Sequence, residues 1–220
     1  MRTGTYQLII YDLDGTLVDT REDIARAANH MRMQMGLHPI AAESVSAFVG
    51  RGVHALISGC LETEDGKKIE KGTKIYRDYY GKHMLDSSRL YPFAKEVLDY
   101  FKSRHQAVIT NKPDPFSAEL LKALGVADYF FEIVPGNADH PKKPDPAAVR
   151  HLMESAEASK EETLFVGDSR IDIETGRNAG IRTVVLLHGF GSADELQSAA
   201  PARIFKDFRE FLETARKEKW

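Results

Sequence analysis

The sequence predicts an α/β protein: an open parallel sheet covered by helices on both faces and carrying a helical insert. Three features of the 220 residues lead there. Short runs such as Leu8-Ile9-Ile10-Tyr11 and Thr183-Val184-Val185-Leu186-Leu187 are apolar at every position, which suits strands buried on both sides. From Tyr91-Pro92 onward such runs alternate with stretches of helical spacing, the pattern of consecutive βα units. Between Gly36 and about residue 88 no convincing strand is found, so a long helical block separates the first strand from the second.

Each element has its own warrant. Leu8–Tyr11 is the opening strand, and Gly15 marks the turn after it. Thr20 stands where it can cap a helix whose apolar positions Ile24, Ala27, Ala28, Met31 and Met35 keep helical spacing, and Gly36 ends that helix. Helices follow over 42–49, 53–61 and 68–84, separated by Gly50-Arg51-Gly52 and the polar Glu62-Thr63-Glu64-Asp65-Gly66. Cys60 falls among Leu56, Ile57 and Leu61 and reads as core filler. Pro92 suits the first turn of a helix over about 93–103. Strands are then predicted over 106–110, 130–134, 163–166 and 183–187, with an edge strand at 203–205. The intervening helices cover 115–124, 146–156, about 170–179 (closed by Gly180) and a short segment near 193–199. A final helix runs from Asp207.

Composition narrows the function classes. A hydrophobic fraction of 42% and a charged fraction of 29% describe a globular protein with an adequate core. A net charge of -3, with lysines and arginines dispersed, gives no basic stripe and argues against nucleic acid as a partner. No apolar run approaches the roughly 18 residues of a membrane span. Met1–Thr5 leads into the first strand without the apolar stretch of a signal peptide. One cysteine excludes an internal disulfide and suits a reducing cytoplasm.

The candidate chemistry lies at strand ends. Asp12 and Asp14, two residues apart after an extended run, project to the same side. Carboxylates so close to an apolar strand need a cation, a donor or a proton. A hard divalent cation such as Mg²⁺, with oxygen ligands, satisfies that need. Later strands end in Thr110-Asn111-Lys112, Pro135-Gly136-Asn137 and Gly167-Asp168-Ser169, and Lys143 precedes the helix near 146. Open parallel sheets collect ligands at this edge. Acids that hold a cation, with a hydroxyl, amides and an ammonium spread over phosphoryl oxygens, make the inventory of phosphoryl transfer. A carboxylate can itself attack phosphorus. Ordinary structural readings stand beside these. Asp14-Gly15 is also turn chemistry, and Thr110 a possible N-cap for the helix near 115. Lys142 and Lys143 could be a solvated pair, and Asp168 an N-cap with Asp172 complementing a helix dipole. His140 and His188 lack a second ligand at metal spacing and read as surface or structural residues. Joint placement on one sheet edge is what favours the chemical reading.

In this order and spacing, Asp12-Leu13-Asp14-Gly15-Thr16, Thr110-Asn111-Lys112, Lys143-Pro144-Asp145-Pro146 and Val166-Gly167-Asp168-Ser169 with Asp172 resemble the four motifs of the haloacid dehalogenase (HAD) superfamily. The resemblance covers nearly the whole chain. It implies a Rossmann-like parallel sheet core over 1–17 and 90–220, an inserted α-helical cap domain over 18–89 serving as a lid, and dependence on Mg²⁺. It further implies that Asp12 is the nucleophile and a metal ligand. Asp14 would be the general acid/base, with its backbone carbonyl on the metal. Thr110, Asn111 and Lys143 would bind the phosphoryl group, Asp168 would bind the metal, and Asp172 would orient the ligands. The family's dehalogenases lack an acid where Asp14 stands, so Asp14 points to phosphate chemistry. The segment Phe48-Val49-Gly50-Arg51-Gly52-Val53 resembles the phosphoglycolate phosphatase group, with Arg51 where asparagine is common. Arg51 is either a contact for a substrate carboxylate or a solvent-facing residue. The expected protein is a cytoplasmic phosphatase, a monomer or homodimer, that hydrolyses a small phosphorylated metabolite through an aspartyl phosphate, phosphoglycolate first. The alternatives are another small-phosphate enzyme of this fold, a phospho-accepting signalling receiver, and a non-catalytic interaction protein.

Overall fold

Strand β1 (Leu8–Tyr11) is buried at every residue, and its alternating side chains explain its central place. Ile9 and Tyr11 join one apolar cluster with Val97, Leu98, Leu120 and Phe211. Leu8 and Ile10 join another on the opposite face with Val149, Leu152 and Ala179. Full burial of side chains of this size stabilises the fold by about 2 kcal/mol each as an upper bound. The computed structural model describes residues 5–220, so the leaderless start expected at Met1–Gly4 lies outside the described residues.

After β1 come β2 (Val18–Asp19) and the helices α1 (Arg21–Gln34), α2 (Ala42–Ser46), α3 (Val53–Leu61) and α4 (Gly66–His83). The chain returns through β3 (Arg89–Leu90), α5 (Ala94–Tyr100), β4 (His105–Ile109), α6 (Phe116–Ala123) and β5 (Glu132–Val134). It finishes with α7 (Ala147–Ser155), β6 (Thr163–Gly167), α8 (Arg170–Ala179), β7 (Arg182–Leu186), α9 (Ala193–Ser198), β8 (Arg203–Phe205) and α10 (Phe208–Glu218). Six strands form one parallel sheet in the order β5-β4-β1-β6-β7-β8. The expected α/β class and Rossmann-like sheet are observed. No helix among the described residues is long and apolar enough to cross a membrane.

Some local expectations shift. Phe130 and Phe131 fall before β5, because a 3₁₀ turn at Ala127–Tyr129 uses up the approach to the strand. Helix α4 starts earlier than 68, since Asp65 caps it by accepting from the Lys67 and Lys68 N–H groups. Thr20 occupies the cap position of α1 but makes no capping bond; its hydroxyl donates instead to Asp14 Oδ1 at 2.8 Å. The pair β2–β3, antiparallel and two residues long on each side, has no counterpart in the sequence reading. Two residues are too few to show a period, and their pairing depends on positions 70 residues apart.

Helices α1–α4 pack around an apolar cluster of their own that includes Ala28, Met31, Leu56, Ile57, Tyr76 and Tyr80. Cys60 sits inside it, fully buried, and burial pushes its thiol up to about 11, so it is inert filler as expected. This helical group joins the sheet through a narrow neck made by β2–β3 and by Asp23. The Asp23 carboxylate, at the start of α1, accepts from the Ser87 N–H, the Ser88 N–H and the Ser88 hydroxyl, the latter two at 2.8 Å. Replacing it removes the acceptor for several buried donors at once. Asp23→Ala should therefore lower the unfolding free energy by about 3 kcal/mol, read as the midpoint of urea denaturation, with Asp23→Asn costing less. An unchanged midpoint for Asp23→Ala would show that the neck is held by other contacts.

Candidate active site

Strand register builds the site. Tyr11 pairs with both Val108 and Val166, so the residues just beyond β1, β4 and β6 emerge side by side. The Asp12 N–H donates to the Val166 carbonyl at 3.0 Å, and the Thr110 N–H donates to the Val134 carbonyl at 3.0 Å. These bonds hold both residues rigidly at the sheet edge.

Asp12 is 5% exposed. Its Oδ1 accepts from the Leu13 N–H at 2.7 Å and pairs with Lys143 Nζ at 2.8 Å. Lys143, from the loop before α7, also donates to Asp172 Oδ1 at 2.7 Å. The other oxygen of Asp172 accepts from the Ser169 hydroxyl at 2.6 Å and from the Ser169 and Asp168 N–H groups. Ser169 and Asp172 form a capping box at the start of α8, so Asp172 is fixed by four donors. Asp168, read from the sequence as a possible N-cap, leaves that place to Ser169. Its carboxylate accepts from the Thr16 hydroxyl and from the Phe190 N–H, each at 2.7 Å. Gly15 makes this wrap possible. Its φ is +84°, and a Cβ there would overlap Asp168 and Phe190.

Carboxylate oxygens of Asp12, Asp168 and Asp172 lie within 4.8 Å of one another, all buried. One ammonium faces three acids. Burial pushes the Asp12 carboxyl up to about 7 against the pull of Lys143, with Asp172 adding repulsion. Burial, then Asp172 and Asp12, holds Asp168 well above its ordinary range. Burial alone would depress Lys143, but Asp12 and Asp172 more than offset it and keep the ammonium above its usual value. This surplus of buried negative charge on hard oxygen donors fits a divalent cation. The carboxylates brought together are those of the expected Asp12 and Asp168 with Asp172; the contribution expected of Asp14 is its backbone carbonyl. The Asp14 side chain turns away to Lys112 Nζ, at 2.8 and 3.1 Å, and to Thr20. Asp14 can reach a cation only through its backbone, as the sequence reading allowed.

Asp12, Asp14, Thr110, Asn111 and Lys112 line one pocket with Val49, Gly50, Gly52, Val53, Tyr76 and Tyr80 of the helical group. It encloses about 540 Å³ of empty space, open mouth included. Thr110 does not cap α6, whose cap position is Pro115. Its oxygen accepts from the Lys112 N–H at 3.1 Å, which leaves the hydroxyl hydrogen for a ligand. The Asn111 side chain is committed elsewhere. Its amide donates to the Gly50 carbonyl at 2.7 Å and the Lys143 carbonyl at 3.1 Å, and its oxygen accepts from the Lys143 N–H. Both hydrogens are spent linking the helical group to the Lys143 loop, so only its backbone N–H is left for an anion. Arg51 takes the second of its two expected places, facing solvent. It is exposed and does not line the pocket, because Gly50 and Gly52, at φ +100° and +88°, present the backbone inward on either side of it. Lys112 was missed. The sequence shows it only as the third residue of a loop motif, and nothing local signals that its side chain is 5% exposed.

Residues 9–186 match the model of the haloacid dehalogenase-like hydrolases. The chain belongs to that family. The phosphoglycolate phosphatase of Vibrio parahaemolyticus is 34% identical, covering 94% of this chain and 95% of its own. That of Neisseria gonorrhoeae is 36% identical over 97% of this chain and 94% of its own. The crystal structure of a predicted phosphoglycolate phosphatase from Haemophilus somnus matches with a TM-score of 0.90 at 29% identity, covering 98% and 99% of the two chains. These relatives group the chain with the family's phosphatases, the phosphoric monoester hydrolases.

The raised acids set a pH test. With Asp12 lifted from 3.8 to about 7, the folded protein binds more protons than the unfolded chain across that interval. The cation-free protein therefore loses stability from this cluster as pH rises, and a bound cation offsets the loss. The melting temperature in Mg²⁺ minus that in EDTA should widen from about pH 5 to about pH 8. A difference that stays flat would mean the cluster holds no cation.

Proposed function

We propose that the chain is a Mg²⁺-dependent phosphatase that hydrolyses a small phosphate monoester, phosphoglycolate first, through an aspartyl phosphate on Asp12. The observation that carries this reading is the Asp12 carboxylate. It lies in the pocket with Oδ1 anchored by Lys143 and the Leu13 N–H, which leaves Oδ2 to attack. The names of the relatives supply the substrate.

Asp12 Oδ2 forms the bond to phosphorus as the bond to the leaving oxygen breaks, and Asp14 supplies the proton to that oxygen. Asp14 then takes a proton from water, whose oxygen attacks phosphorus and releases phosphate and free Asp12. The Lys143 ammonium and the Thr110 hydroxyl hold the phosphoryl oxygens as charge builds on them. Mg²⁺, held by Asp12, Asp168 and the Asp14 carbonyl, would neutralise charge on the phosphoryl group and nucleophile. Asp172 positions Lys143 and the 168–169 turn. Residues 18–89 act as a cap on a core of 1–17 and 90–220. The cap's Val49–Val53 segment and the Tyr76 and Tyr80 rings roof the pocket and keep out bulk water.

Three measurements test this. Phosphate release across small phosphorylated metabolites should require Mg²⁺, with phosphoglycolate among the best substrates; activity unaffected by EDTA would refute the metal role. Asp12→Asn should lower kcat by at least about a thousandfold with the fold intact, and retained turnover would remove Asp12 as nucleophile. Asp14→Ala should cost about 100-fold or more on an alkyl phosphate and much less on p-nitrophenyl phosphate, whose leaving group needs no proton. Equal losses on both would count against Asp14 as the acid.

A further inference from the structure

The pocket contains a cation with no part in the steps above. Lys112 is the only cationic side chain lining it among the described residues. Its Nζ donates to both oxygens of Asp14, at 2.8 and 3.1 Å, and lies 4.7 Å from the centre of the Tyr80 ring. An ammonium has three hydrogens. Asp14 takes two of them, so one is left for a ligand. Tyr80, from α4, lines the same pocket, is 1% exposed, and its hydroxyl has no hydrogen-bond partner among the described residues. An orphaned buried hydroxyl costs stability unless a ligand satisfies it. Burial holds this phenol well above its ordinary value, so it enters as a donor. Lys112 and Tyr80 thus line a pocket that also presents the apolar side chains of Ile24, Val53, Leu56 and Phe116.

We propose that Lys112, together with the Tyr80 hydroxyl, is the specificity-determining site that binds a carboxylate on the leaving group of the substrate. The inference rests on the phosphatase reading and moves the role expected of Arg51 to a residue inside the pocket. Its position also sets which carboxylate fits. Lys112 Nζ is one hydrogen bond from Asp14, the group that touches the leaving oxygen. An anion held by Lys112 must therefore lie close to that oxygen, attached directly to the ester-bearing carbon. A carboxylate even one carbon further along the leaving group would overshoot. The selected class is the phosphate ester of a short 2-hydroxy acid. Neutral alkyl phosphates leave the ammonium hydrogen and the Tyr80 hydroxyl unsatisfied and are rejected for that reason.

The test compares 2-phosphoglycolate with ethyl phosphate, which carries a methyl group in place of the carboxylate. The ratio of kcat/KM for the two substrates is measured in the native protein and in Lys112→Met, Lys112→Arg and Tyr80→Phe. Lys112→Met should lower the ratio by about 100-fold, mainly through KM for phosphoglycolate, because a charge-assisted contact is lost. Lys112→Arg should restore much of it, and Tyr80→Phe should lower it by about tenfold. If Lys112→Met slows both substrates by the same factor, Lys112 only supports Asp14 and the proposal fails. If the native protein hydrolyses neither ester, the phosphatase reading fails first. The phosphate ester of 3-hydroxypropionate, one carbon longer, supplies the second arm: hydrolysis as efficient as that of phosphoglycolate would overturn the spacing argument.

Discussion

The Lys143 ammonium, clamped between Asp12 and Asp172, is the contact on which the site depends. Three carboxylates share a volume that water barely enters, and one cation answers them. Desolvating such ions costs several kcal/mol each even after relaxation. The arrangement persists because each acid also accepts from neutral donors, Asp12 from the Leu13 N–H. Asp172 has the α8 cap, while Asp168 has the Thr16 hydroxyl and the Phe190 N–H. The sheet beneath, with β1 buried on both faces, supplies the stability that offsets the electrostatic cost. The remaining negative charge is what a cation placed among these oxygens would neutralise.

Main chain, more than side chains, shapes the walls. A Cβ on Gly15 or Gly189 would overlap Asp168, one on Gly167 would overlap Asp172, and one on Gly136 would overlap the Asn111 backbone. Backbone packed this closely leaves the carboxylates no alternative rotamers. The helical group takes part in the same packing. Arg21, the first residue of α1, donates to the Gly189 carbonyl at 2.8 Å and lies over the Phe190 ring. The loop that caps Asp168 is thus braced by the residue that begins the insert, and Asn111 ties the insert's Gly50 to the Lys143 loop. Two separate contacts make the geometry of the acids sensitive to where the helices sit.

The fold was legible because its signals are local or periodic: apolar runs at β1, β6 and β7, and helical spacing in α1 and α3. Asp12, Lys143 and Asp168 were legible for a related reason, since acids and a lysine at strand ends have few other uses in combination. What could not be read depends on partners distant in sequence. Lys112 looks like any loop lysine until Asp14, 98 positions earlier, is seen to hold it. Asn111 looks like a phosphate ligand until its amide is found bridging two loops. Arg51 looked like a binding residue because arginine suits carboxylates, yet the glycines beside it turn the backbone and not the side chain toward the pocket. The pair β2–β3 is invisible without its mate.

That pair carries a consequence for how such a protein diversifies. The chain leaves the sheet at Val18 and comes back at Leu90, its direct partner in the antiparallel pair, so the exit and the return are about 5 Å apart. Whatever lies between adds nothing to the strand order and asks nothing of it. Helices of other lengths, or another architecture altogether, could be spliced into the same gap without disturbing a single bond in the parallel sheet. The acids at the ends of β1 and β6 would keep their register through any such exchange.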